Sequence, residues 1–469
     1  MPRRPIPLPF WRLSAGTLAI LFLLAPVSGC VGAAGGPAGP VVSPTGIVYE
    51  PGIAPSESRF SQTASLYLRS EQPERALEQL LEGMEAQPEN PVHYFLAGVA
   101  YARLGEYADA DASFREAERL YPAYELDVEP ERAAAWAEAY NRGAEAYAEG
   151  YVDEALEAWS GAILMYDLRP EAHRNLAMVF VAEGRYRDAA DTYQKALEGL
   201  EGEPATRVLD EEELLQREGQ REELEEGLAE LLLIVEDFAA AEPLLRKQLL
   251  RQPDQVALRQ NLATALEGQG RLDEAREIYD ALLEETDLAE TELFNLGVAL
   301  FRSGDPARAA EAFERLIEMR PNSRDVWFNY ANALFAAGDW ETLVSIEDDL
   351  SDVDPLNENA KLIVARAHLE REDEEAALER LRRLDATPAF LEGLVMRSVG
   401  SGSQIEGRII GNEGDPDRPL RLRFTFYGAE GALGSESITL TPPPAGESEG
   451  FEVSFDAQAT SYRYAIDGS

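Results

Sequence analysis

Three histidines, one cysteine and a large surplus of carboxylates decide what chemistry this 469-residue chain could carry. His93, His173 and His368 each fall on a different helical segment, where a packing or surface role outweighs a catalytic one. General acid–base catalysis needs a base within hydrogen-bond reach of a defined partner, and no HExxH pair or phosphate loop accompanies any of them. The 87 acidic residues against 42 basic ones give a net charge of −45, and abundant acids on a polyanionic surface are not a matched acid and base. The densest run, 201–227, holds eleven acids and three arginines around Asp210 to Glu213. It lacks the ligand spacing of a calcium loop and reads as a solvated helix or mobile loop. No enzymatic activity, cofactor or metal is expected.

The charge balance also excludes classes of partner. Nucleic-acid binding through the phosphate backbone needs clustered Lys and Arg, which this chain lacks. Lysine is confined to Lys195, Lys247 and Lys361. The arginine bias fits a GC-rich genome, and the acidic surface fits a salt-adapted source, because salt screens self-repulsion.

Chemistry of recognition is more visible. Phe294 and Phe301, then Phe328 and Phe335, recur 34 residues apart, with Asn332 among them. The same step runs through the chain: Gly98, Ala110 and Phe114; Gly143, Ala155 and Trp159; Ala177, Ala189 and Tyr193; Ala263, Ala275 and Tyr279; Gly297, Ala309 and Phe313. Fixed self-similarity at this length predicts stacked helix pairs. Small residues stand where two helices approach closely, large ones fill the space between pairs, and Gly105, Gly184, Gly270, Gly304 and Gly338 mark the turn within each pair. One pair cannot bury both faces, so stacking supplies the core.

These positions, with Trp327, Tyr330, Ala331 and Leu334, resemble the tetratricopeptide repeat family over residues 57–393. The resemblance implies a mainly α fold: a right-handed α-solenoid of about nine helix pairs, starting near 57, 91, 136, 170, 222, 256, 290, 324 and 358. The period breaks twice, at insertions near 124–135 and 203–222; the first looks like a plain spacer containing Pro130. Glu347 stands where an aromatic normally packs, which predicts a loose second helix in the unit at 324. The resemblance further implies that first helices line a groove for a protein or peptide segment. There Phe294, Phe301, Phe328, Asn332 and Phe335 form the expected binding row, extended less regularly by Phe95, Tyr140 and Tyr147.

The front of the chain predicts an address. Arg3, Arg4 and Arg12 precede an apolar stretch, Leu18 to Leu24, that is short for a membrane span. Val27-Ser28-Gly29-Cys30 then resembles the bacterial lipoprotein processing site. It implies a signal peptide over 1–29, lipidation of Cys30, and an envelope protein held on a membrane by its acyl chains, with Val31 after the cysteine pointing to the outer membrane of a Gram-negative bacterium. Residues 30–56, rich in Gly, Pro, Ala and Ser, read as a flexible tether.

After about Leu394 the helical period gives way to alternation, with Gly400-Ser401-Gly402-Ser403 as the junction. Leu422, Phe424 and Phe426 share one face; Phe451, Val453 and Phe455 share another. Roughly five strands over 400–469 predict a small all-β sandwich. Phe424-Thr425-Phe426-Tyr427-Gly428 resembles the FxLYD motif of small envelope-associated domains, with Phe426 and Gly428 replacing Leu and Asp. The expected function is a membrane-anchored scaffold for envelope proteins, in envelope, secretion or pilus assembly. The alternatives are a solute- or cation-binding surface protein using Glu211 to Glu213, and a passive structural component of the envelope.

Overall fold

The computed structural model describes residues 40–412, 419–429 and 431–467. The signal region and Cys30 lie outside the described residues. The chain divides into two compact units at Leu244/Leu245.

The first unit opens with a small hairpin, β1 (Val41–Val42) and β2 (Val48–Tyr49), followed by helices. These are α1 (Arg59–Arg69), α2 (Pro73–Ala86), α3 (Pro91–Leu104), α4 (Tyr107–Leu120), α5 (Glu125–Ala148), α6 (Val152–Met165), α7 (Glu171–Ala182), α8 (Tyr186–Gly199) and α9 (Glu211–Ile234). Helix α10 (Phe238–Arg251) spans the division. The second unit holds α11 (Val256–Gly268), α12 (Leu272–Glu284), α13 (Glu290–Arg302), α14 (Pro306–Met319), α15 (Arg324–Ala337), α16 (Trp340–Ser345), α17 (Glu347–Val353), α18 (Glu358–Glu370) and α19 (Glu374–Asp385). Six strands follow: β3 (Ala389–Val399), β4 (Gly402–Gly411), β5 (Leu420–Gly428), β6 (Gly431–Leu440), β7 (Ser448–Phe455) and β8 (Ser461–Ile466).

The helices pack in consecutive pairs, and the 34-residue spacing becomes a recurring steric lock. A methyl carbon built on Gly98 would lie 2.5 Å from the Phe114 ring, one on Gly143 2.5 Å from Trp159, and one on Gly297 2.8 Å from Phe313. In each case the glycine is on a first helix and the fully buried aromatic sixteen residues later on the second. The turn between the two helices is equally regular. Its residue has positive φ in all nine pairs: glycine at 105, 150, 184, 270, 304 and 338, but glutamate at Glu71, Glu236 and Glu372, with φ of 55°, 61° and 65°.

In the unit at 324 a carboxylate stands in the slot and the second helix breaks. Glu347 sits sixteen residues after Ala331, and the second helix of that pair is divided into α16 and α17 at Ile346. A carboxylate cannot occupy an apolar slot unpaired. Glu347 instead turns to the Arg380 guanidinium, which donates from Nε and Nη2 at 3.1 and 3.0 Å.

Three expectations need correcting. Residues 40–56 are not a free tether: Tyr49 is buried, the Ile53 N–H donates to the Leu120 carbonyl at 2.7 Å, and the Asn90 amide donates to the Ser56 carbonyl at 2.8 Å. Gly52 allows this approach, since a Cβ there would stand 2.3 Å from the Leu120 oxygen. The first insertion is not a spacer but the beginning of the 24-residue helix α5, which runs through Pro130 and buries Val128. The β region begins at Ala389, not 400: Val399 pairs with Gly402, so the Gly-Ser stretch is the tip of a hairpin rather than a domain junction.

The six strands form two antiparallel sheets, ordered β3-β4-β7 and β6-β5-β8. They bury one common core in which Leu391, Ile405, Ile409 and Val453 of the first sheet meet Leu422, Phe424, Phe426, Tyr462 and Tyr464 of the second. The Phe426 and Phe455 rings stack across it at 4.5 Å. The predicted inward face of β5 is the observed one, with Leu422, Phe424 and Phe426 all fully buried.

Candidate functional site

The predicted binding row lies on α13 and α15, neighbouring first helices of the second unit. Seven residues separate Phe294 from Phe301 and Phe328 from Phe335, so each pair points the same way two turns apart, about 10 Å along the axis. The structure sorts the row by exposure. Phe301 is 40% exposed. Phe294 is half-buried, with its ring edge against Phe313 at 6.0 Å, and Phe335 is half-buried against Trp340 at 5.5 Å. Phe328 is half-buried as well. The Asn332 amide donates from Nδ2 to the Phe328 carbonyl at 2.9 Å, so one of its two donor hydrogens is spent on its own helix.

The row is longer than the sequence reading made it. Another 34-residue step from Phe328 and Phe335 arrives at Leu362 and Leu369 on α18, which are 39% and 40% exposed. Helix α18 packs beside α15. Three first helices therefore carry two parallel apolar rows, Phe294–Phe328–Leu362 and Phe301–Phe335–Leu369. Val298, Asn332 and Arg366 occupy the column between them. The signal was available in the period itself; a search for aromatics passes over leucine.

The first-unit residues named as an extension do not continue these rows freely. Phe95 stacks on Tyr124 of the first insertion at 5.1 Å, and Tyr140 stacks on Trp136 at 5.0 Å. Tyr147 is 40% exposed, its ring 5.7 Å from Trp159. The first insertion thus supplies the ring that covers Phe95.

The histidines are internal. Ser58 Oγ lies 2.8 Å from His93 Nε2, and His173 is buried, which lowers its pKa to about 4 because desolvation opposes the charged form. His368 lies 3.4 Å from the Glu347 carboxylate through Nε2. The acidic run is the start of α9. Asp210 and Glu213 form a capping box, and Glu213 also accepts from Arg207 at 2.6 Å, which holds its carboxyl below the usual range. Among the described residues no group of three His, Cys, Asp or Glu side chains is placed to hold a metal ion, and no helix is long and apolar enough to cross a membrane. Gly446-Glu447-Ser448-Glu449-Gly450 has the letters of a nucleophile elbow, but Ser448 opens the exposed strand β7 instead of a strand-to-helix turn.

Tetratricopeptide repeat profiles match residues 62–125, 140–204 and 294–342, and a second profile of the same kind matches 232–293. The helical array is made of tetratricopeptide repeats. No curated protein sequence matches the chain. Solved structures that resemble it include MamA from Desulfovibrio magneticus RS-1, at 18% identity, covering 40% of this chain and 94% of that one with a TM-score of 0.30. A tetratricopeptide repeat protein from Parabacteroides merdae follows at 16%, 59%, 97% and 0.26. YrrB, a tetratricopeptide repeat protein with an unusual peptide-binding site, stands at 17%, 49%, 92% and 0.27. Tetratricopeptide arrays are interaction modules, and in this one the two rows of apolar side chains on α13, α15 and α18 are partly exposed.

Proposed function

We propose that the protein is a non-enzymatic scaffold, anchored to a membrane through lipid on Cys30, that holds an apolar-faced segment of an envelope protein between the two rows of α13, α15 and α18. One observation carries this reading. Apolar side chains stay partly exposed at the same two repeat positions on three neighbouring helices. Rows about 10 Å apart suit a single helix of about 10–12 Å diameter or an extended strand lying between them. The net charge of −45 favours a neutral or basic partner over an acidic one. The lipoprotein-like start supports an envelope address, at the outer membrane of a Gram-negative cell. The FxLYD-like β region supplies a second contact there. Assembly of envelope, secretion or pilus components is the class of process that fits.

The test is a cross-linked pull-down from native membranes at working salt, comparing the wild type with Phe301→Ser/Leu369→Ser. These two positions are exposed, so the substitutions leave packing intact, unlike changes at Phe294. Loss of one discrete partner with an unchanged melting temperature supports the groove; retention of that partner by the variant refutes it. Anchoring is tested separately, since Cys30→Ser should release the protein from the membrane fraction.

A further inference from the structure

The broken helix of the unit at 324 leaves more than a bend. Five aromatics, Phe114, Trp159, Tyr193, Tyr279 and Phe313, fill the slot that Glu347 occupies here. The next first helix departs from its predecessor too: 34 residues after the buried Trp327 stands Lys361. Two charged side chains thus replace two large rings in adjacent units. Between α17, α18 and α19 a cavity of about 90 Å³ remains, lined by Glu347, Ser351, Asp354, Lys361, Val364 and Arg380 among others. That is room for about three water molecules at liquid density, or one small acid group.

Both lining carboxylates are already committed. Glu347 takes two donors from Arg380 and faces His368. Asp354 accepts from Arg324 Nε at 2.5 Å, from the Tyr464 hydroxyl at 2.5 Å and from Asn357 Nδ2 at 2.8 Å. Arg383, at the outer edge of the cavity, pairs with Glu379 on the surface. The Lys361 side chain is half-buried, and its ammonium has no hydrogen-bond or ion-pair partner among the described residues. Burial lowers its pKa even though Asp354 and Glu347 pull the other way. A desolvated ammonium without an acceptor is costly, and the space beside it is open.

We propose that this cavity is an anion site that takes a single carboxylate group on the Lys361 ammonium, with the Ser351 hydroxyl as a second donor at its rim. A singly charged, planar group suits it. A doubly charged phosphate would place its second charge against Glu347 and Asp354, at no gain from the one free cation lining the cavity. The site lies between the second helices α17 and α19, and Lys361 and Val364 reach it from a different side of α18 than Leu362 and Leu369. It is independent of the apolar rows. The carboxylate belongs either to a free small acid or to a peptide, as a side chain or chain terminus.

The chain's three lysines make the test direct. Reductive ¹³C-methylation of the full chain gives one dimethyl-ammonium NMR signal for each lysine, and loss of a signal in Lys361→Arg assigns Lys361. Titration with sodium acetate, at ionic strength held constant with sodium chloride, should move the Lys361 signal to saturation while Lys195 and Lys247 drift together. Inorganic phosphate at the same ionic strength should not saturate it. Equal drift of all three lysines in acetate, or saturation by phosphate as readily as by acetate, overturns the assignment. Two peptides identify the source: one with a free C-terminus and no acidic side chain, the other amidated with a single Asp. Saturation by one assigns the group to a terminus or to a side chain, and failure of both restricts the site to small free acids. Lys361→Met should fold at least as stably as the wild type and lose the acetate response seen as heat of binding; a retained response also overturns the proposal.

Discussion

The Tyr464 hydroxyl donates to Asp354 Oδ1 at 2.5 Å and accepts the Leu356 backbone N–H at 3.1 Å, tying strand β8 to the loop after α17. Tyr464 is fully buried and Asp354 nearly so. Burial disfavours the Arg324 charge, but Asp354 beside it more than compensates and holds the guanidinium above its usual range. The last repeats and the β region of the second unit therefore share a buried polar knot, and the Leu391 N–H donating to the Leu356 carbonyl at 3.0 Å lies next to it. Tyr464→Phe removes the hydroxyl and leaves a carboxylate oxygen and an N–H short of a partner. The expected cost is about 1–3 kcal/mol in urea unfolding. Helical and near-ultraviolet signals of the second unit should shift together. A shift confined to the aromatic signal would mean that the knot does not couple the two regions.

The three glutamates with positive φ carry a penalty that glycine avoids. Left-handed backbone costs an L-residue about 1–2 kcal/mol, while glycine loses about 0.5–1 kcal/mol through its freer unfolded state. Glu71→Gly, Glu236→Gly and Glu372→Gly should each stabilise by a few tenths to about 1 kcal/mol. Ala substitutions at the same positions should not. Thermal unfolding of the six single variants checks this.

Exposure in the binding rows and burial beneath them predict different costs. Phe313→Ala opens a cavity beneath Phe294 and should destabilise by about 3–5 kcal/mol. Phe301→Ser should stay within about 0.5 kcal/mol of the wild type, because the ring is 40% exposed. A large loss at Phe301 would show that the ring is part of the core and not available to a partner.

His173 makes stability fall with acidity. Its pKa is lowered to about 4 in the folded chain, against about 6.5 when unfolded. The unfolded state therefore binds the proton first. The contribution is complete above pH 6.5 and is lost as pH drops towards 4, to the extent of about 2–3 kcal/mol. Carboxylate protonation relieves repulsion over the same window and acts in the other direction. The informative quantity is thus the difference in slope between the wild type and His173→Leu, which should show the shallower loss.

The net charge of −45 predicts salt dependence. Raising sodium chloride from about 0.1 to 1 M shortens the screening length from about 10 to 3 Å, and the melting temperature should rise by several degrees. A flat response would mean that the surface charges are already neutralised pairwise, as Arg119 with Glu116 and Arg271 with Glu274 are.

The sequence by itself determined the helix pairs, their turns and the inward face of β5. Each of these depends on neighbours within one repeat or one strand, so spacing records them. Gly98 with Phe114 and Gly338 at its turn are legible for that reason. Phe301 and Asn332 were legible as row members by the same arithmetic, and Leu369 was too, once the step was carried one unit further. Only the tertiary structure decided what depends on distant partners. Thr206 donates its N–H to Glu129 at 2.8 Å, so the two breaks in the period, read separately, meet in space. Residues 40–56 look like a linker by composition and become fixed through Leu120 and Asn90. Ala389 to Gly393 reads as the end of the repeat array until β4 pairs with it. Glu347 signals a defect in one helix, but only the placement of Arg380, Asp354 and Lys361 turns that defect into a charged cavity. Backbone periodicity is written in nearest neighbours, whereas the pairing of charges and the covering of apolar faces are settled by which segments the fold brings together.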